Sequence, residues 1–194
     1  MKSEKIITSR SRGELIAELN AESHAKWLFF WGHTPSKDGA VSKSCFSQWW
    51  EGHAFVHDEL CYPTAEHFMM AEKARLFGDL ESMEGILNAK SPALAKKMGR
   101  TVKGFDERVW LEARWRIVVK GNLLKFAQHL DLNHFLLRTG ERILVEASPA
   151  DAIWGIGLAA DHPDVENPRK WKGLNLLGFA LMQVRYQLKM EESV

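Results

Sequence analysis

From Thr64 to Leu124 the chain sets out four helix starts in close succession, and no other feature narrows its architecture so far. Thr64 is placed to cap a helix running from Ala65 to about Leu76 and stopping near Gly78. Asp79 caps a second, through Ile86 and Leu87. Ser91, with Pro92 at the first helical position, opens a short third that ends at Gly99. Asp106 opens a long fourth with Val109, Ala113, Ile117 and Leu124 on or near one face, and Gly121 is expected to mark a break in it. Further on, Asn133 opens a turn or two ended by Gly140. Leu177, Ala180, Leu181, Val184 and Leu188 then form a stripe of helical period across residues 175–190. Only Trp27–Trp31 and Arg142–Ala147 read as strands. The expected fold is mainly α, a single compact helical domain with a few short strands. Residues 1–24 read as a polar lead-in with a short helix around Glu14–Leu19, ahead of a domain over residues 25–190.

The 194 residues suffice for one domain with a sizeable core, and 45% hydrophobic with 26% charged residues is ordinary for a soluble globular protein. A net charge of +1 gives no global pull toward nucleic acid or membrane. Cys45 and Cys61 are the two cysteines, too few for a disulfide framework at this size, which fits a reducing compartment. The first twenty residues carry charges throughout and lack the apolar stretch of a secretory signal. No apolar run reaches membrane-spanning length. The expectation is a cytoplasmic protein with no membrane partner.

Candidate chemistry centres on the first of the four helices. Glu66, Met70 and Lys73 fall at i, i+4 and i+7 and so share a face, while Glu72, Arg75 and His67 supply the more exposed side. Burial lowers a lysine pKa and a nearby carboxylate opposes that shift. An amine neutral for part of the time can attack a carbonyl or imine carbon. A second segment, Asp151-Ala152-Ile153-Trp154-Gly155-Ile156-Gly157, superficially fits a dinucleotide-binding fingerprint through Ala160. Asp161, His162 and Pro163 follow where the phosphate-binding helix would run, so that reading is rejected. The glycines instead permit tight turns that set Asp151 and Trp154, and a turn-capping aspartate is as good an account of Asp151 as a catalytic one. The stretch from Ser148 to Gly173 holds Trp154, Ile156, Leu158 and Trp171, too apolar for disorder, and is expected to be a folded site wall. Of the eight tryptophans, most are expected in the core, with one or two lining a site for a flat polar ring. His53, His57 and Cys61 recur every four residues and would share a helical face as zinc ligands can, yet Gly52 and Pro63 argue against a helix there and no second ligand cluster exists. No metal site or cofactor is expected. Arg100, Arg114, Lys120 and Lys125 are candidates for a phosphate, against the plainer account of charged helix faces.

At these residues the chain resembles the YbiA-like, or NADAR, domain family, from about Phe29 to Leu188. The likeness rests on ordered motifs: Tyr62-Pro63-Thr64-Ala65-Glu66 through Lys73-Ala74; Gly99-Arg100, Phe105-Asp106, Trp110 and Arg114; Lys125-Phe126; Leu144 to Ala147; Asp151 to Leu158; and Trp171-Lys172-Gly173-Leu174-Asn175 through Gly178, with Leu181, Met182 and Arg185. His67 departs from it, the family often having glutamine, and is expected to tune the pocket. The resemblance implies a mostly helical fold and an N-glycosidase that splits the bond between ribose C1 and an exocyclic amine. Two substrate classes are implied: phosphoribosylamino-pyrimidine intermediates of riboflavin synthesis, the leading reading, and ADP-ribose on guanine in nucleic acid. A non-catalytic ADP-ribose or nucleotide-binding module is the third. By the same resemblance Lys73 matches an imine-forming lysine, Glu66 an acid/base group and Asp151 a second proton-handling group. Trp154, Gly155, Trp110, Arg114, Met70 and Phe30 are the implied substrate contacts.

Overall fold

A computed structural model describes residues 9–19 and 25–192. In chain order the elements are α1 (Arg12–Glu18), β1 (Trp27–Phe30), a 3-10 turn (Lys43–Phe46), β2 (Phe55–His57), β3 (Leu60–Tyr62), α2 (Ala65–Leu76), α3 (Leu80–Leu87), α4 (Pro92–Gly99), α5 (Glu107–Gln128), α6 (Leu130–Leu137), β4 (Ile143–Glu146), a second 3-10 turn (Pro168–Lys170) and α7 (Leu176–Glu191). The fold is mainly helical with four short strands among the described residues, as the capping pattern implies. The chain divides into two compact units: one made of Met1–Gly32 with His134–Val194, the other continuous, His33–Asn133.

The continuous unit is organised around α2, which packs on α3, α4 and α5. All of Ala65–Ala71 and Ala74 are buried, so α2 is covered on nearly every side. His67 is part of this core, not of the exposed face expected for it. Its Nε2–H donates to the Ala89 carbonyl at 3.0 Å, leaving Nδ1 to accept the Thr64 hydroxyl at 2.8 Å. This bonding fixes a neutral imidazole, and burial lowers its pKa. Helix α5 runs unbroken through Gly121. That glycine is there for close approach: a Cβ would stand 2.6 Å from Cδ1 of the buried Phe68 ring.

The segment around His53, His57 and Cys61 is not helical. β2 and β3 form an antiparallel hairpin whose two loop residues, Asp58 (φ 48°) and Glu59 (φ 64°), are left-handed, the backbone that matches the twist of a two-residue hairpin. Four-residue spacing therefore brings no shared face. His53 instead accepts the Trp50 indole N–H at Nδ1 and donates from Nε2 to Asp131. Lys125 leaves the phosphate candidates: it is 1% exposed and donates to the carbonyls of Cys45 (2.6 Å) and Ser47 (3.1 Å), closing the 3-10 turn. Burial pulls its pKa down to about 8.

In the discontinuous unit β1 and β4 pair in parallel, Trp27 opposite Ile143 and Phe30 opposite Glu146, and α7 packs on β4. Asn175 makes that junction. It is left-handed (φ 57°) just before α7, and its side chain accepts from Glu146 N–H and donates to Leu144 O, both at 3.0 Å. Gly178 brings α7 so close that a Cβ would overlap the Leu144 carbonyl oxygen. The short N-terminal helix lies at Arg12–Glu18 and packs on the turn at 168–170, with the Arg12 guanidinium donating to Trp171 O at 2.6 Å. The remainder of the expected lead-in, residues 1–8 and 20–24, lies outside the described residues. α6 begins three residues before the expected Asn133.

Candidate active site

Thr64 caps α2 by accepting the His67 N–H, and the helix carries Glu66, Met70 and Lys73 along one face. Glu66 is 2% exposed in the first turn, where the positive end of the helix favours a carboxylate, and its N–H donates to Gln48 O at 2.9 Å. Lys73 is half-buried. Its Nζ donates to the Gly99 carbonyl at 2.7 Å and stands 4.2 Å from the centre of the Phe105 ring and 5.6 Å from that of Trp110. Phe77 meets Phe105 edge-on at 5.4 Å and completes the aromatic frame. Burial lowers the Lys73 pKa, with no carboxylate opposing it. Seven residues of rise set the Glu66 and Lys73 backbones roughly 10 Å apart along the helix, so the two groups bracket Met70 and the amine donates its hydrogen bond to a carbonyl.

Gly99 is what allows that carbonyl to come so near. A Cβ there would overlap the Met70 sulfur and lie 2.8 Å from its Cγ, so only glycine lets the end of α4 close on α2. Trp110 sits in the first turn region of α5, and Arg114, one turn on, is half-buried with its pKa lowered by burial. Arg100 and Lys120 are exposed.

In the other unit, residues 147–175 form a hydrogen-bonded loop in which Ile156, Leu158 and Trp171 are buried. Asp151 Oδ1 accepts from both Ile153 N–H and Trp154 N–H at 2.8 Å, the turn-capping role open to it from the sequence. Gly155 is walled by the Asp151 and Glu146 carbonyls, each 2.9 Å from where a Cβ would stand, and Gly157 is left-handed (φ 67°). Trp154 is half-buried, and Phe30 is buried at the end of β1.

The NADAR domain family profile matches residues 29–189. The chain belongs to the NADAR domain family. It is 40% identical over 168 residues to N-glycosidase R617 of Acanthamoeba polyphaga mimivirus, covering 82% of this chain and 95% of that one. N-glycosidase YbiA of Escherichia coli is 35% identical over 135 residues, 70% of this chain and 76% of its own. The NMR structure of the E. coli protein superposes with a TM-score of 0.66 at 28% identity, covering 88% and 89% of the two chains. A maize protein, "Riboflavin biosynthesis protein PYRR, chloroplastic", is 35% identical over 138 residues, 68% of this chain but 20% of its own length. The fold is thus that of YbiA, and this NADAR chain is an enzyme, a hydrolase acting on N-glycosyl bonds.

The helical register of Glu66, Met70 and Lys73 in this NADAR domain was readable from spacing alone. The partners of Lys73 were not. Gly99 is 26 residues away and Phe105 further still, and only the packing of α4 on α2 brings them to the amine. Among the described residues no group of three His, Cys, Asp or Glu is arranged to hold a metal ion, and no helix is long and apolar enough to cross a membrane.

Proposed function

We propose that this N-glycosidase cleaves the bond between ribose C1 and an exocyclic amine of a phosphoribosylamino-pyrimidine, through an imine on Lys73. The reading is carried by one observation: the Lys73 amine is held by the Gly99 carbonyl between aromatic rings, with a pKa lowered by burial. The ribosylamine opens to an imine at C1. The neutral Lys73 amine adds to C1, a proton passes to the pyrimidine nitrogen, and the C1–N bond to the pyrimidine breaks, which leaves the sugar joined to Nζ as an imine. Water then adds to C1 and releases the aldehyde sugar and the free amine. We assign proton handling to Glu66 and a positioning role to Asp151, whose carboxylate holds the Trp154 backbone. The riboflavin assignment draws on the name of the maize relative.

The test is product release with and without trapping. Wild-type protein incubated with a phosphoribosylaminopyrimidine should release the pyrimidine, and borohydride during turnover should leave a sugar adduct on Lys73. Lys73→Ala should fold and release nothing. Unchanged turnover in a folded Lys73→Ala protein rejects the imine route in favour of direct water attack.

A second reading, removal of ADP-ribose from guanine in nucleic acid, has one feature in its favour. A groove of about 400 Å³ between α2 and α5 carries Arg116 and Lys120 around Phe68 and Ile117, together with Arg75, which is paired with Glu72 of the same lining at 3.0 Å. Such cations would contact a phosphate backbone and make activity on ADP-ribosylated DNA fall steeply with salt.

A further inference from the structure

Phe105, whose ring centre stands 4.2 Å from the Lys73 amine, is 47% exposed and belongs to no helix or strand. It lies on the connection between α4 and α5, where Thr101, Lys103, Gly104 and Asp106 are also exposed and Val102 is buried. A ring that covers an amine from such a segment needs the segment to be held. The hold comes from the end of α2. Gly78 (φ 71°) and Asp79 close that helix by a Schellman turn, with Gly78 N–H donating to the Arg75 carbonyl at 3.1 Å and Asp79 N–H to the Ala74 carbonyl at 2.9 Å. Asp79 is thereby anchored to the residue that follows Lys73. Its buried side chain works in two directions. Oδ1 accepts Ser82 N–H at 3.2 Å and caps α3, while Oδ2 accepts Lys103 N–H at 2.8 Å. Among the described residues, the second is the one hydrogen bond that joins the backbone of residues 102–105 to another element. Lys103 adds an ion pair to Glu81, but both side chains are largely in water, where such a pair contributes little. Two residues past Lys103, beyond Gly104 (φ 70°), Phe105 meets Phe77 edge-on at 5.4 Å.

We infer that Asp79 is a positioning residue for the reaction: one carboxylate oxygen starts α3, and the other fixes the loop that sets the Phe105 ring against the Lys73 amine. Two N–H donors on different elements need two acceptor oxygens, which a carboxylate has and a serine or threonine cap lacks. This assignment rests on the reading of Lys73 proposed above and adds to it the means by which the amine is kept dry. Burial alone lowers the Lys73 pKa, with no charged group adding to the shift. Part of the covering surface is a ring carried on a loop, and Asp79 holds that loop.

The experiment compares wild type, Asp79→Ser, Phe105→Ala and the double variant, with thermal unfolding as the fold check. Asp79→Ser keeps an oxygen for Ser82 N–H but lacks the atom that reaches Lys103, so it frees the loop and retains the cap. Asp79→Thr, a cap of the same kind, replaces it if the serine variant does not fold. One readout needs no substrate: trace labelling with acetic anhydride across pH, read by mass spectrometry, titrates the Lys73 amine. In both single variants its pKa should move up toward the ordinary lysine value of 10.5, and the double variant should match Phe105→Ala. The other readout is kcat/KM for pyrimidine release. Each single variant should lose about tenfold to a hundredfold, and the double should stay within about twofold of Phe105→Ala, because Asp79 acts through that ring. An unmoved amine titration in folded Asp79→Ser, or losses that multiply in the double variant, overturns the assignment. Lys73→Ala tests the underlying reading separately: turnover retained there rejects the lysine chemistry, while the labelling of Asp79→Ser still decides whether this carboxylate sets the surroundings of the amine.

Discussion

Substituting Gly99 by alanine tests stability and chemistry together. The added Cβ would overlap the Met70 sulfur and stand 2.8 Å from Cγ and 3.1 Å from Cβ of the same residue, which is itself buried against α4. The sulfur can swing away, but the Cβ belongs to the α2 backbone and moves only with it. Overpacking of this kind costs roughly 1–3 kcal/mol. The better helix propensity of alanine returns less than about 1 kcal/mol at a final helical position. A net loss of about 1–2 kcal/mol lowers Tm by roughly 2–8 °C for a chain of this size. If α4 shifts outward to relieve the overlap, the Gly99 carbonyl leaves the Lys73 amine, and a misplacement near 1 Å is enough for about a hundredfold loss of rate. Thermal unfolding and steady-state release of the pyrimidine, measured on Gly99→Ala, Met70→Ala and the pair, give the answer. The double variant should be less destabilised than the sum of the singles, since the cavity left by Met70 receives the new methyl. Strict additivity, with Tm and kcat of Gly99→Ala unchanged, would refute the claim that this glycine sets the position of the amine.

Other outcomes follow from the buried polar groups. Lys125, pulled from 10.5 to about 8, binds its proton less tightly folded than unfolded, so stability should increase as pH climbs from about 8 toward 10.5; Lys125→Met should abolish that rise in denaturant titrations. His67, held neutral with a pKa lowered by burial, should cost the protein stability as pH falls below its unfolded value of about 6.5, and His67→Gln should lose less between about pH 7 and about pH 5. Asp151→Asn retains an oxygen for the Ile153 and Trp154 N–H groups and should keep the fold and most turnover, whereas Asp151→Ala should lose about 1–2 kcal/mol. Turnover abolished in a fully stable Asp151→Asn protein would make that carboxylate a proton carrier and not a positioning group.

Helix boundaries were legible because they are written locally. Thr64, Asp79, Ser91 and Asp106 each cap the helix that the chain order suggests, through a side chain bonded within the first turn. The hairpin at Asp58–Glu59 was not legible, since neither residue is the glycine or asparagine that usually announces left-handed turn positions. Gly121 misled for a related reason. A glycine within a helical pattern signals either a break or a close neighbour, and the neighbour, Phe68, comes from another helix. Lys125 and His67 read as surface residues because charge and polarity usually mean exposure; their burial depends on carbonyls supplied by Cys45, Ser47 and Ala89, far away in the chain. At the candidate site, the face of Glu66 and Lys73 follows from helical period, while the surroundings of the amine arise only from tertiary packing.

The parallel partnership of β1 with β4 has a consequence for how the protein is made. Everything from residue 33 to residue 133 is a self-contained unit interposed between the two strands. On a ribosome adding about 5–20 residues per second, β1 waits roughly 5–25 s for its mate, long enough for the interposed helices to settle first. During that interval Trp27, Leu28, Phe29 and Phe30 form a greasy, half-satisfied edge. Nascent chains stalled before Ile143 should therefore engage holdase chaperones through this tetrapeptide, and release should coincide with translation of the strand that finally covers it.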